Sequence, residues 1–227
     1  MTDLEQQELL TRDIAKCIRI LSEKFRKWPY NFFTESDAHS YLYYSFFRYG
    51  IPELKAMYPT KTPRIKPVLI HREYPTFFRY EQKNLIRYLL HEPVGTVGHY
   101  DMVVLNPEFM ENHSIEQVIS KDNTVRQTVA YEKDHLLTAI EFKLLHKPLS
   151  KALRHEIKKD FIKLTWALES KQARQAYMLI FNRYGSEKGY IEELQELESA
   201  HPEVKLIYQE SYFDGLKHKT FIRSFLT

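Results

Sequence analysis

The chain has 227 residues, 43% of them hydrophobic and 28% charged, a balance that excludes extended disorder and supplies enough apolar surface for one α/β domain. Lys and Arg total 33 against 30 for Asp and Glu, and the net charge of +3 is too small to mark a nucleic-acid binder by itself. Residues 1–10 are polar and acidic, without the basic and apolar segments of an export signal, and no apolar run is long enough to span a bilayer, so a cytoplasmic location is expected.

In chain order, Leu10, Ile14, Cys17, Leu21, Phe25 and Trp28 step by three or four and predict one apolar helical face, ended by Pro29. Cys17, the single cysteine, lies on that stripe and reads as core, not as a nucleophile. Thr34, Glu35, Ser36 and Asp37 mark the start of a second helix, which continues through Ala38, Tyr41, Leu42, Ser45, Phe46 and Tyr49 to Gly50. Pro52, Pro59, Pro63 and Pro67 predict an irregular connection over 51–67. Strands are expected at 68–74, 100–105 and 136–145. A helix on Leu153, Ile157, Phe161, Leu164 and Leu168 follows, then a strand at 176–182, a polar helix near 187–199 and a last strand at 204–209. Tyr and Phe, 16 and 14 in number, fall mostly at core spacing and read as packing, not as base-stacking platforms. The order predicts a single mixed α/β domain over 1–227, with a helical extension at 1–33 before a core at 34–209.

Two of the expected strands carry charge in an apolar setting: Asp101 in one, Glu141 and Lys143 in the next. Strand side chains alternate, so Glu141 and Lys143 share a face, roughly 6 to 7 Å apart, and pairing in the right register sets Asp101 beside Glu141. Converging carboxylates repel unless a cation neutralises them, and a hard divalent ion such as Mg²⁺, with Mn²⁺ as substitute, is the natural partner. A neighbouring lysine can stabilise charge on a phosphoryl oxygen and orient the attacking water while the metal polarises the phosphate. That combination suits phosphodiester hydrolysis.

Gly98-His-Tyr-Asp101-Met-Val-Val-Leu followed by Ala139-Ile-Glu141-Phe-Lys143-Leu resembles the PD-(D/E)XK nuclease superfamily. The resemblance covers roughly 34–209 and implies a restriction-endonuclease-like mixed β-sheet flanked by helices, with an α-β-β-β-α-β core. It places Asp101 at the acidic position of the second core strand, Glu141 and Lys143 at the acid and lysine of the third, and Glu35 at the extra metal-site acid of the preceding helix. Tyr100 stands where the nominal motif has proline. A Mg²⁺-dependent nuclease is implied, acting on DNA ahead of RNA by direct attack of water. The alternative within the same fold is a catalytically inactive nucleic-acid-binding or scaffold protein.

Glu-x-Lys recurs at Glu53, Glu81, Glu141, Glu156 and Glu203, so context selects Glu141, inside an apolar strand that follows another with one embedded acid. The plain alternative is a surface salt bridge between Glu141 and Lys143. Glu35 suits a helix start through the dipole as well as it suits a metal. Glu73 is expected on the first strand, as a partner for the lysine, a second metal contact or a solvated acid; His99 shares the face of Asp101, as a substrate contact or a packing residue. Lys147, Lys151, Arg154, Lys158, Lys159 and Lys163 outnumber Glu156 and Asp160 by four, and Lys159 and Lys163, one turn apart, are the expected phosphate contacts. The connection over 106–134 is long for a hairpin and is expected to hold a short helix near 114–120, as a flap, a decoration or an oligomer contact; a homodimer is left open.

Overall fold

The computed structural model describes residues 3–119, 133–147, 150–184, 188–214 and 217–224. Helix α1 (Asp3–Lys27) buries Leu10, Ile14, Cys17, Leu21 and Phe25 completely, as the spacing predicts. Trp28 departs from that stripe. Pro29 opens a short 3-10 turn, the helix stops at Lys27, and the indole is turned outward and half exposed. Helix α2 (Glu35–Tyr49) begins at a capping box in which Asp37 accepts the Thr34 amide at 2.8 Å. It ends at Gly50, where an added Cβ would lie 2.2 Å from the Phe46 carbonyl oxygen. The proline-rich connection is irregular apart from one turn of helix, α3 (Pro52–Lys55).

Seven strands form one mixed sheet in the order β2-β1-β3-β4-β5-β6-β7. The strands β1 (Ile70–Glu81), β2 (Ile86–Leu89), β3 (Thr96–Leu105) and β4 (Leu136–Leu145) pair antiparallel as β2-β1-β3-β4. Strands β5 (Ala173–Asn182) and β6 (Val204–Asp214) continue parallel to β4, and β7 (Lys217–Ser224) closes the edge antiparallel to β6. Short helices α4 (Pro107–Asn112) and α5 (Ile115–Ile119) follow β3; the rest of the expected flap, 120–132, lies outside the described residues. Helix α6 (Lys151–Glu169) connects β4 to β5, and α7 (Lys188–Ala200) connects β5 to β6.

Alternation along β4 separates the two faces of the sheet. Phe142 packs on His39 of α2 with ring centroids 4.4 Å apart, and Phe25 of α1 meets Phe181 of β5 at 5.0 Å. Glu141 and Lys143 instead meet Lys163 and Asp160 of α6. Thus α1 and α2 cover one face and α6 the other, with His201, at the end of α7, against Phe161 of α6 at 5.9 Å. Backbone pairing of β3 with β4 ends at Met102↔Ile140, whereas β4 stays paired with β5 as far as Leu145. The two strands separate from Glu141 onward, and the charged residues gather at that opening.

Candidate active site

The separation of β3 from β4 leaves the Phe142 and Leu144 amides without a β3 carbonyl. Asp101 Oδ2 accepts the Phe142 N–H at 2.7 Å, and Glu35 Oε1 accepts that of Leu144 at 3.3 Å. Both carboxylates therefore serve the backbone that positions Glu141 and Lys143. Because Asp37 caps α2, Glu35 in its first turn is left to reach across to β4. Glu141 and Lys143 do not pair with each other. The Lys143 ammonium lies 2.9 Å from Asp160 Oδ2, while Lys163 lies 2.6 Å from Glu141 Oε1 and 3.2 Å from Asp160 Oδ1.

Burial grades the cluster from a sealed floor to an open mouth. Glu141 is 1% and Lys163 4% exposed, whereas the side chain of Asp101 is 20% exposed. Four carboxylates, Glu35, Asp101, Glu141 and Asp160, share two ammonium groups, so the cluster has an excess of acid. Burial pushes the Glu141 carboxyl well above the usual range; Lys163 opposes the shift, and Asp101 and Asp160 add to it. Burial also raises Glu35, against the pull of Lys143 and the Leu144 amide. Asp160 goes the other way: its burial is outweighed by Lys163 and Lys143, which hold it ionised. Burial would lower both lysines, but Asp160 and Glu35 keep Lys143, and Glu141 and Asp160 keep Lys163, above the ordinary range.

His39 lies one turn after Glu35 on α2, its Nε2 3.9 Å from Asp101 and its Nδ1 3.1 Å from the Arg72 guanidinium. Burial lowers its pKa despite the attraction of Asp101, and Arg72 and Lys143 lower it further. A neutral ring accepting from Arg72 through Nδ1 directs its Nε2–H towards Asp101.

Several expected roles change in the structure. Lys163 is not a surface phosphate contact: its ammonium is spent on Glu141, Asp160 and the His99 carbonyl oxygen at 2.8 Å. Lys159 is half-buried beside Asp160, so the two lysines do not form a joint exposed grip. Lys147, Lys151 and Lys158 are the exposed cations of that stretch. His99 enters the cluster through its backbone while its side chain is exposed. Glu73 is exposed in a left-handed conformation, φ 50°, and among the described residues its carboxylate has no ion pair or hydrogen bond.

Asp160, which the sequence offers only as one acid in a basic stretch, joins the site, as do His39 and Arg72. Asp160 had a signal: it falls three residues after Ile157 and four before Leu164, on the buried stripe of α6, where a lone acid needs a partner. Among the described residues, no group of three or more His, Cys, Asp or Glu side chains is placed to hold a metal ion. Each of Glu35, Asp101 and Glu141 nevertheless commits one oxygen to the fold and leaves the other without a hydrogen bond among the described residues. No family model, curated protein or solved structure matches the chain.

Proposed function

We propose that the chain is a metal-dependent nuclease of the PD-(D/E)XK type, hydrolysing phosphodiester bonds of nucleic acid, DNA ahead of RNA. The observation that carries the reading is the opening between β3 and β4, where Asp101 and Glu35 accept the Phe142 and Leu144 amides that flank Glu141 and Lys143. The path α2, β1, β3, β4, α6, β5, with three antiparallel strands and a parallel return, supports the restriction-endonuclease-like topology as well.

The donors suit a hard ion. They are oxygens alone, they carry surplus negative charge, and Mg²⁺ is commonly held by one or two carboxylates with water and substrate phosphate completing its shell. Two of these carboxylates, Asp101 and Glu141, would hold it through their second oxygens, with Glu35 kept on the Leu144 amide, and it would polarise the phosphate and the attacking water. Lys143, its charge fixed by Asp160, offers a cation at the mouth for a phosphoryl oxygen. Lys163 keeps Glu141 in place from below, and His39 faces Asp101 from the α2 side at 3.9 Å.

The pairing of both lysines favours a second reading, a non-catalytic nucleic-acid-binding or scaffold protein in which the cluster is structural. Incubation with single- and double-stranded DNA and RNA in Mg²⁺ or Mn²⁺ separates the two. Cleavage by the wild type and its loss in Lys143→Ala are expected; intact substrates with a folded, metal-binding wild type would establish the second reading.

A further inference from the structure

A run of exposed aromatic side chains lies outside the acidic cluster, along the turn before α2 and on that helix. Between residues 28 and 49 the large exposed hydrophobic side chains are all aromatic: Trp28, Tyr30, Phe33, Tyr44, Phe47 and Tyr49. Elsewhere, Tyr184 aside, they are aliphatic: Leu4, Met57, Ile65, Ile86, Leu89 and Val94. Cations are set among the rings. The Arg183 guanidinium lies 5.7 Å from the Tyr30 centroid and 5.9 Å from that of Phe33, and Lys24 lies 4.2 Å from Trp28 and 5.7 Å from Tyr41. Tyr41, Tyr44 and Tyr49 follow at centroid spacings of 6.1 and 6.2 Å. Beside Tyr41 and Tyr44 lies a hollow of about 350 Å³ that Lys24 and Phe32 also line, with Asp37 as its one acid.

We infer that this shelf binds single-stranded nucleic acid, stacking bases on Tyr30, Phe33 and Tyr44 and holding phosphates with Lys24 and Arg183, and that it leads the strand to the opening at Glu35. Base faces stack on aromatic rings whatever the sequence, and the backbone needs cations beside them. Exposed rings with interleaved Lys and Arg meet both needs. Duplex bases already stack on one another and cannot reach the rings, so the shelf selects single strands or frayed ends. Its position supports the direction of travel: Phe33 is two residues from Glu35, and Arg183 is joined to β4 through its amide on Leu145 O at 2.9 Å and to Phe32 O at 2.6 Å. The inference rests on the nuclease reading for the identity of the polyanion.

The test is fluorescence anisotropy of labelled oligothymidine and of a labelled duplex with the full chain, without divalent ions so that nothing is cut. Tighter binding of the single strand is expected. Tyr30→Ala and Phe33→Ala should each weaken it about ten-fold, Leu89→Ala on the far edge strand should leave it unchanged, and Lys24→Gln should lower the log–log salt slope by about 0.7. No binding of the single strand, or binding that the ring substitutions do not alter, would overturn the inference. So would a wild-type dimer that Phe33→Ala dissociates without loss of oligothymidine binding, which would make the shelf a contact between copies. The two readings fail separately: a chain that binds the strand through the rings and cuts nothing in Mg²⁺ or Mn²⁺ refutes the nuclease, and cleavage unaffected by the ring substitutions refutes the shelf.

Discussion

Lys143 and Lys163 have the same side-chain chemistry and differ in partners and in burial, their side chains being 12% and 5% exposed, so their substitutions should separate chemistry from stability. Lys143 is near the mouth, and its partner Asp160 retains Lys163 when Lys143 is removed. Lys143→Ala is therefore expected to stay folded and to bind Mn²⁺, while turnover falls about 10²-fold or more, the typical cost of losing one group that stabilises transition-state charge. Calorimetric titration beside a cleavage assay checks this; loss of Mn²⁺ binding would show that Lys143 organises the acids. Asp101→Asn should weaken metal binding and cleavage together, because a charged ligand becomes neutral. Lys163→Met is a different case. It leaves Glu141 buried without its cation, and a loss of about 3–5 kcal/mol in urea denaturation is expected. A loss under about 1 kcal/mol would mean that Glu141 takes up a proton at little cost.

The elements most legible in the sequence are those whose charged residues stand out against an apolar run, and β4 has the very bounds that its pattern predicts. Strand β1 extends beyond the expected 68–74 because aromatic residues continue past Pro75, with the register slipping between Pro75 and Arg79. Strand β6 likewise runs on to Asp214, and β7 escaped notice because Lys217, His218 and Lys219 mask its alternation, although Asp214-Gly215 is a hairpin signal. At the site, Asp101, Glu141 and Lys143 could be picked out because they interrupt strands. Asp160 and Lys163 read as solvated charges on a basic helix, although both fall on its buried stripe beside Ile157, Phe161 and Leu164. Spacing overreached at Trp28, where proline sets the end of α1. Phe25→Ala should cost about 3–5 kcal/mol, whereas Trp28→Ala should stay within about 0.5 kcal/mol, as measured by chemical denaturation. Equal losses would place the indole in the core.

At the scale of the whole molecule, the acid surplus makes stability depend on pH in a direction set by which carboxyls are raised. Glu35 and Glu141 hold protons in the folded chain above the range, about 4.3, at which an unfolded Glu releases them. Between the unfolded and folded values the native state binds more protons, so their contribution to stability is fully present below the unfolded value and is lost as pH rises through the folded one. Asp160 has the opposite sign: lowered by Lys163 and Lys143 against its burial, it contributes stability above the ordinary Asp range and loses it as pH falls through its lowered value. Without divalent ions, stability should therefore peak on the mildly acidic side and decline towards neutral pH. Each unit by which Glu141 is raised accounts for about 1.4 kcal/mol of that decline. Glu141→Gln, which keeps the shape and removes the titrating charge, should flatten the profile, and urea denaturation from about pH 4.5 to pH 8 checks it. Adding Mn²⁺ at neutral pH should recover stability in the wild type and less in Glu141→Gln, because an ion that binds only the folded chain draws it towards the native state. Wild-type stability that rises steadily to pH 8 without metal would show that the two lysines already balance the four acids.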